Sequence, residues 1–414
     1  MSNWPEFKIS NIIIEQSKSK LQVQNAIDHG SYPFFTSGEK ILRHTEYTTE
    51  GDNIFLATGG VANVKYYSGK CAYSTDTYVL KCQDFDTKYF YYFLLEKRDF
   101  INNNLFSGSG LKHLQKKDFY KICFKAPDNT AEQRKIAQIL STTDTVIEKT
   151  QAAIAKYKAI KQGMLNDLFT RGVDTKTGKL RPTQQDAPEL YKESELGWIP
   201  KEWDALLLNE VIDPIMSNVD KHIKDDETKV LLCNYMDVYS NRYLTPLINY
   251  SAGSVNFSEL NRFLLKLEDV IITKDSETPD DIAVPSVVYD EFKNLVCGYH
   301  LCILRSKNQE ILEGEYLMLQ LQLHEINKQF AIRANGSTRY GLTIKGIESV
   351  YLKIPKDITE QKEISKRLKT VDNKLASEQN YLLKLQQIKS GLMADLLSGK
   401  KLVTVTEELE TKIN

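Results

Sequence analysis

The feature that most constrains this chain is an internal repeat. AEQRKIAQILSTTDTVIEKTQAAIAKYKAIKQGMLNDLF begins at Ala131, and TEQKEISKRLKTVDNKLASEQNYLLKLQQIKSGLMADLL begins at Thr359, 228 residues later. At that one offset, without a gap, Pro127 matches Pro355, Glu132 Glu360, Gln133 Gln361, Ile136 Ile364, Leu140 Leu368 and Asp144 Asp372. The identities run on through Lys156/Lys384, Ile160/Ile388, Lys161/Lys389, Gly163/Gly391, Asp167/Asp395 and Leu168/Leu396. They also reach upstream, to Gly108-Ser109 against Gly336-Ser337 and to Leu114 against Leu342. A register held through helix, loop and strand marks duplication of a whole structural unit.

Each copy has the same grammar. A strand-rich region comes first, then a short strand ending in proline (ICFKAP to Pro127, VYLKIP to Pro355), then a long helix. Asp128, Asn129 or Thr130 can cap the first helix and Asp357 or Thr359 the second. Ile136, Leu140, Thr143, Ile147, Thr150, Ile154, Tyr157, Lys161, Met164 and Leu168 step by alternating fours and threes. Ile364, Leu368, Val371, Leu375, Glu378, Leu382, Leu385, Lys389, Leu392 and Leu396 do the same. A 3.5-residue period keeps one seam turned to a partner helix and predicts a coiled coil. The plainer alternative is an amphipathic helix lying on its own domain. Polar seam residues (Thr150, Lys161, Glu378, Lys389) fix register at some cost in stability. At ~1.5 Å per residue, such a helix spans roughly 58 Å.

Between the copies, Thr170 to Trp203 is polar, with Gly172, Gly178, Pro182 and Pro188, and reads as a linker. Its end, GWIPKEW, echoes the opening NWPEF. The expected organisation is domain 1–126, helix 127–170, linker 171–197, domain 198–354, helix 355–400 and tail 401–414.

Composition excludes several classes. With 41% hydrophobic residues in 414, each domain can bury a core. The start, MSNWPEFKIS, is not a secretory leader, and no run approaches the roughly 18 apolar residues of a membrane span. Six cysteines (Cys71, Cys82, Cys123, Cys233, Cys297 and Cys302) are dispersed without a CxxC, as expected of free thiols in the cytoplasm. Cys297 and Cys302 sit in a strand-like run and read as small core residues. A net charge of −1 counts against a lone nucleic-acid-binding domain. The charge is uneven: residues 1–125 hold 16 Lys/Arg against 13 Asp/Glu, and residues 198–354 hold 16 against 23. Phosphate contacts in the second half must come from local clusters or from a partner.

PDNTAEQRKIA from Pro127, its copy at Pro355, and LFTRGVDTKTGKLRP…APELYKESELGWIPKEW from Leu168 together resemble the specificity subunits of Type I restriction–modification enzymes. The resemblance covers essentially the whole chain, and YPFFTSG (Tyr32–Gly38) and DVIITKDSE (Asp269–Glu277) also look like parts of target-recognition modules. It implies an α+β fold: two α/β target-recognition domains separated by two long helices that form an antiparallel coiled coil, in a pseudo-two-fold internal repeat. It implies that each domain reads half of a bipartite, asymmetric site on double-stranded DNA. Two modification (methyltransferase) subunits carrying S-adenosylmethionine and methylating adenine would dock on the scaffold, joined by restriction/translocase subunits using ATP and Mg²⁺. The chain itself would hold no cofactor and perform no catalysis. Half-sites one helical turn (~34 Å) apart face the same side of a duplex, and a rod of roughly 58 Å is of suitable size.

Under that resemblance, the loop-like polar residues are candidates for DNA contact. In the first half they are Ser37, Gly38, Thr58, Gly59, Gly60, Lys65, Tyr67 and Lys70, then Ser109, Lys112 and His113 in the loop from Ser107. Glycines let backbone approach phosphate, lysines supply affinity, and polar or tyrosine side chains meet base edges. The loop's copy at the repeat offset contributes Ser337, Thr338, Arg339 and Tyr340. Lys274, Asp275, Ser276 and Glu277 follow a buried strand; carboxylates accept from cytosine N4, and lysine reaches guanine or phosphate. Asn234 and Tyr235 open a segment whose alternation fits a strand equally well. The plain alternative for all of these is ordinary turns with solvated lysines, or loops packed against the helix.

Catalytic signatures are missing: there is no NPP[YF], no GxxxxGK[ST] and no HExxH. Pro279-Asp280 with Glu291 and Lys293 mimics the PD…ExK set of Mg²⁺-dependent nucleases, a short pattern that arises readily in charged sequence. The readings that compete are the equivalent subunit of a Type IIB-like system, a stand-alone nuclease built on that mimic, and a coiled-coil adaptor.

If the two helices pair as a ruler, one heptad inserted into both adds roughly 10.5 Å at ~1.5 Å per residue. At ~3.4 Å per base pair, the unread gap between half-sites lengthens by up to about three pairs while half-site identities stay the same. Mapping methylated adenines in cells carrying the extended variant checks this. An unchanged gap with full activity rules the ruler out.

Overall fold

A computed structural model describes residues 3–405 of the chain, so part of the expected tail, 406–414, lies outside the described residues. Two compact units are present, residues 1–154 with 378–414, and residues 155–377. The division falls inside both long helices, Thr130–Thr170 and Ile358–Leu397. Each unit therefore contains one globular region, the start of the helix that leaves it and the end of the other helix.

In the first unit, a four-stranded antiparallel sheet runs in the order Ile13–Glu15, Thr77–Cys82, Asp52–Ala57, Val64–Ser68. Its two central strands, Asp52–Ala57 and Thr77–Cys82, are buried along most of their length and rich in β-branched, aromatic and leucine side chains, as strands covered on both faces are. The helix Thr87–Glu96 is started by Asp86, whose carboxylate accepts the Tyr89 N–H at 2.7 Å. The core joins this helix to Ile136 and Leu140 from the start of one long helix and to Met393, Leu396 and Leu397 from the end of the other. In the second unit, a five-stranded sheet runs Ile212–Met216, Leu301–Ser306, Val270–Thr273, Pro285–Val288, Tyr243–Leu244. Its core takes in Ile364 and Leu368 together with Leu168 and Phe169. Within each unit the helix segments thus pack start against end, which is antiparallel. Cys297 and Cys302 are buried in strands of the second unit, and all six thiols are free.

The helix caps are Asn129, whose side-chain oxygen accepts the Ala131 N–H at 2.8 Å, and Asp357, which accepts the Thr359 N–H at 2.9 Å. The predicted seam is the buried face: Ile136, Leu140, Thr150, Ile154 and Leu168 are buried on one helix, and Ile364, Leu368, Leu385 and Leu396 on the other. Its lysines meet carboxylates that are themselves identities of the repeat. Lys389 pairs with Asp144 at 2.5 Å in the first unit, and Lys161 with Asp372 at 2.5 Å in the second. The two pairs interchange under the 228-residue offset.

Gln133 and Gln361 do the same work in each copy. Both are fully buried. The Gln133 amide donates to the Pro127 carbonyl at 2.8 Å and accepts the Asp86 N–H at 2.7 Å. The Gln361 amide donates to the Pro355 carbonyl at 3.0 Å and accepts the Glu313 N–H at 3.0 Å. The opening tryptophans also correspond. Trp203 lies across from Pro355 at the start of its strand pair, and Glu6–Lys8, just after Trp4, pairs with Cys123–Lys125.

The segment read as a linker is folded. It forms two hairpins, Val173–Asp174 with Lys179–Leu180 and Tyr191–Ser194 with Gly197–Pro200. Val173 and Ile199 enter the core of the second unit. Gly172 (φ +65°) turns the chain out of the helix at a point where a Cβ would come 2.6 Å from the Trp203 ring. Polar composition hid this, because the polar residues have buried partners. Arg181 clasps Glu360 with both guanidinium nitrogens, at 2.5 and 2.9 Å, and Glu360 also accepts the Val173 N–H at 2.8 Å.

Glu360 is only 2% exposed and Arg181 11%. Removing the guanidinium leaves a buried carboxylate without its counter-charge. Arg181→Ala should therefore cost ~3–5 kcal/mol, read by denaturant unfolding of the full chain, and Glu360→Gln should cost less because an amide is cheaper to bury.

Candidate nucleic-acid interface

In the first unit the site is built on two hairpins. Asp52–Ala57 and Val64–Ser68 are joined by a turn over 58–63, and Phe106–Ser107 pairs with His113–Leu114 around a tip over 108–112. The turns are zipped together: the Gly60 N–H donates to the Lys112 carbonyl at 2.9 Å, and the Leu114 N–H to the Thr58 carbonyl at 3.0 Å. Gly108 (φ +150°) opens the tip where a Cβ would lie 2.6 Å from the Leu111 carbonyl oxygen. Beside the turns is a cleft of about 520 Å³ lined by Ser37, Gly38, Glu39, Gly59, Gly60, Val61, Ala62, Asn63, Arg98, Asp99 and Asn102. Thr58 borders it and donates its hydroxyl to the Asp76 carbonyl at 2.7 Å; Ser37 donates to the same oxygen.

The structure brings Ser37, Gly38, Thr58, Gly59, Gly60, Lys112 and His113 together, with Ser109 on the hairpin tip. Lys112 and Ser109 are exposed. Three candidates are placed otherwise. Lys65 donates to the carbonyls of Thr36, at 3.0 Å, and Gly38. Burial pushes its ammonium below the usual lysine range, and it braces the loop from within. Tyr67 packs on Phe35 with ring centres 5.5 Å apart, and Lys70 lies over the Tyr47 ring at 4.9 Å. Both lie toward the far end of the hairpin from Gly59-Gly60.

The second unit repeats the construction with other side chains. Asp275–Ser276 pairs with Tyr340–Gly341, and the Leu342 N–H donates to the Lys274 carbonyl at 2.9 Å, as Leu114 does to Thr58. Gly336 (φ +145°) opens this tip as Gly108 opens the other. The adjoining cleft, of about 390 Å³, is lined by Tyr235, Tyr239, Asp275, Ser276, Glu277, Asp281, His300 and Arg339. The Asp275 carboxylate meets His300 Nδ1, and the Tyr239 hydroxyl donates to Asp281 at 3.0 Å. Ser337, Thr338 and Arg339 are exposed on the tip. Arg339 has no ion pair among the described residues. Lys274 is occupied, donating to the Ser217 carbonyl at 3.3 Å and lying over the Tyr299 ring at 4.7 Å.

Asn234 and Tyr235 do not lie in a strand. Tyr235–Ser240 is a helix, and Asn234 is its cap residue, with its N–H donated to Asp237 at 2.7 Å. The signal was the four-residue spacing of Tyr235 and Tyr239, which puts both rings on one helical face, 5.6 Å apart and nearly parallel. Sequence reasoning also missed Asn63, at the end of the same turn, and Arg98 and Asn102, which come from the separate helix Arg98–Asn104 with no local motif. Asn102 accepts the Ala62 N–H at 2.9 Å and fixes the turn. Two aliphatic side chains stand out on these turns, Val61 at 70% and Leu111 at 65% exposure.

The nuclease mimic does not converge on a metal site. Asp280 is exposed on a single turn, Pro279–Asp281, and Glu291 and Lys293 are exposed on the turn after Pro285–Val288. No group of three or more His, Cys, Asp or Glu is placed to hold a metal among the described residues.

Two α/β domains carrying exposed, glycine-marked loops and completed by paired long helices define a duplicated target-recognition scaffold. A family model described as "Type I restriction modification DNA specificity domain" matches residues 1–157 and again 200–387. The chain belongs to that family, whose members confer DNA-sequence specificity. It is 22% identical over 421 residues to the Type I restriction enzyme MjaVIII specificity subunit of Methanocaldococcus jannaschii, covering 96% of this chain and 93% of the relative. It is 24% identical over 286 residues to the EcoDI specificity subunit of Escherichia coli, with 64% of each covered. The solved S subunit of a Type I system from M. genitalium superposes with a TM-score of 0.64 at 17% identity, over 98% of this chain and 97% of that one. No helix among the described residues is long and apolar enough to cross a membrane.

Plasmid incubated with the purified chain, Mg²⁺ and S-adenosylmethionine should remain uncut and unmethylated. Cleavage that disappears in Glu291→Ala and Lys293→Ala would restore the nuclease reading.

Proposed function

We propose that the chain reads a bipartite, asymmetric site on double-stranded DNA, one half with each recognition domain, and directs methylation and cleavage by partner subunits. The observation that carries this is the pair of zipped hairpin sites. The backbone construction is the same in both units, so both serve the same kind of task. The linings differ. The first offers glycines, two amides, Arg98 and the carboxylates of Glu39 and Asp99, and the second offers three carboxylates, two tyrosines, His300 and Arg339, with no glycine or amide among its described residues. A carboxylate accepts from cytosine N4 and an arginine donates to guanine, whereas amides suit adenine. Two such linings select two different half-sites.

In this reading the chain supplies specificity and no chemistry. Two modification subunits carry S-adenosylmethionine and methylate adenine. Restriction subunits bring ATP and Mg²⁺ for translocation and cutting. The assembly works in the cytoplasm.

Lys112 and Arg339 occupy the tips, exposed and without ion pairs among the described residues. In the assembled complex, Lys112→Ala and Arg339→Ala should each weaken DNA binding, and loss of one phosphate contact lowers the salt slope by about one unit. If Arg339 instead contacts a base, its variant relaxes the second half-site by ~1–3 kcal/mol and leaves the first intact. Titrations across salt, on duplexes altered in one half-site at a time, distinguish these outcomes. Wild-type binding by both variants makes the tips packing elements and overturns the assignment.

A further inference from the structure

The internal repeat supplies a control for each part of the fold, and at the proline-ended strand the two copies differ. Among the described residues, the proline-ended strand of each unit pairs along one edge only. In the second unit that strand is Tyr351–Pro355, paired with Trp203–Leu207. Its other edge is closed by side-chain amides. Gln329 donates to the Tyr351 carbonyl at 3.0 Å and accepts the Tyr351 N–H at 2.9 Å. Gln320 donates to the Lys353 carbonyl at 2.6 Å and accepts the Lys353 N–H at 3.1 Å. Each glutamine stands in for one residue of a missing strand.

The matching positions in the first unit are Cys123 and Lys125. Ile9 donates to the Ile122 carbonyl at 3.0 Å and Ala126 to the Pro5 carbonyl at 3.3 Å, so residues 122, 124 and 126 face the paired strand. The N–H and C=O groups of Cys123 and Lys125 therefore face the other way. No glutamine meets them. Counted from the helix caps, Gln320 is the seventh residue after Glu313, and Phe93 is the seventh after Asp86. In place of amides there is a groove of about 480 Å³ with Phe93, Phe100, Ile101 and Leu397 in its walls. Lys97 and Lys125 stand on its rim, without ion pairs among the described residues.

We propose that this groove is a docking site for an extended segment of a partner polypeptide, which adds a strand to the open edge at Cys123 and Lys125. Main-chain hydrogen bonds hold such a strand, and pockets for alternate side chains select it. The occupant carries an apolar residue for the phenylalanine-lined wall, flanked by acidic residues that meet Lys97 and Lys125. The strand comes from another subunit of the assembly. The inference rests on the function proposed above only for that source, because the edge and the groove belong to this unit alone.

The test compares the full-length chain, free and co-purified with the modification subunit encoded beside it. Hydrogen exchange at the Cys123 and Lys125 amides should slow by roughly tenfold or more in the complex, and maleimide labelling of the exposed Cys123 thiol should fall in parallel. Phe93→Gln places an amide where Gln320 stands and closes the edge from within. Cys123→Pro removes one outward N–H and spares the existing strand pairing. Both should weaken assembly while half-site identities, mapped by adenine methylation, stay unchanged; circular dichroism confirms that each variant folds. Equal exchange in the free and assembled chain overturns the proposal. So does protection already present in the free chain and lost on truncation after Val405, which makes the chain itself the occupant. Altered half-site identities with normal protection count against the recognition reading and leave the groove intact.

Discussion

The fold turns on one buried amide in each copy, Gln133 and Gln361. Each joins three things: the carbonyl that ends a strand, the start of a long helix, and the first N–H of a neighbouring helix cap. A buried polar group left unpaired costs ~1–3 kcal/mol, so a full set of partners is required at both sites. That requirement holds the exit direction of the long helix relative to the sheet behind it. The preceding glutamate is used less evenly. Glu360 is clasped by Arg181, whereas burial and nearby Asp128 raise the pKa of Glu132. The glutamine is the invariant device of the repeat, and the glutamate is adapted to the local surroundings of each helix start.

Much of the architecture was readable because its signals are periodic or duplicated. The heptads named the buried seam residue by residue, including the lysines that proved to hold Asp144 and Asp372. Those pairs could have been anticipated, since all four residues are identities at the repeat offset. The folded linker could not be read the same way. Its stability comes from Arg181 reaching Glu360, 179 residues away, and composition reports polarity without reporting partners. The candidate sites show the same divide. Glycine-marked turns were visible as loops, but Arg98 and Asn102 reach the first cleft from a separate helix. Lys65 looked like a surface lysine until its carbonyl partners were known.

In the proposed reading, the zipped hairpins let one scaffold host unrelated reading surfaces. Contacts between Gly60 and Lys112, and between Lys274 and Leu342, are made by backbone groups. Backbone bonds do not depend on the side chains beside them. The tip glycines, with φ of +150° and +145°, are fixed by the close approach of a carbonyl within the loop. A few side chains add to this hold, Asn102, Lys65 and Thr58 in the first unit and Asp275 with His300 in the second, and the exposed tip residues Ser109, Lys112, Ser337, Thr338 and Arg339 are left free to vary. This separation of holding from reading is the property a specificity module needs.

The second cleft adds a constraint of its own. Asp275, Glu277 and Asp281 lie together in a domain that already carries more acidic than basic residues. Carboxylates facing a duplex are repelled by phosphate unless they accept hydrogen bonds from base amino groups, which lie in the grooves. The structure has already engaged two of the three carboxylates, Asp275 with His300 and Asp281 with Tyr239. Glu277 is exposed. In the proposed reading, this domain gains discrimination from its base-facing acids at the expense of backbone affinity. Neutralisation of the phosphates around the second half-site then falls to Arg339 and to the partner subunits, so tight binding at that half requires the assembled complex.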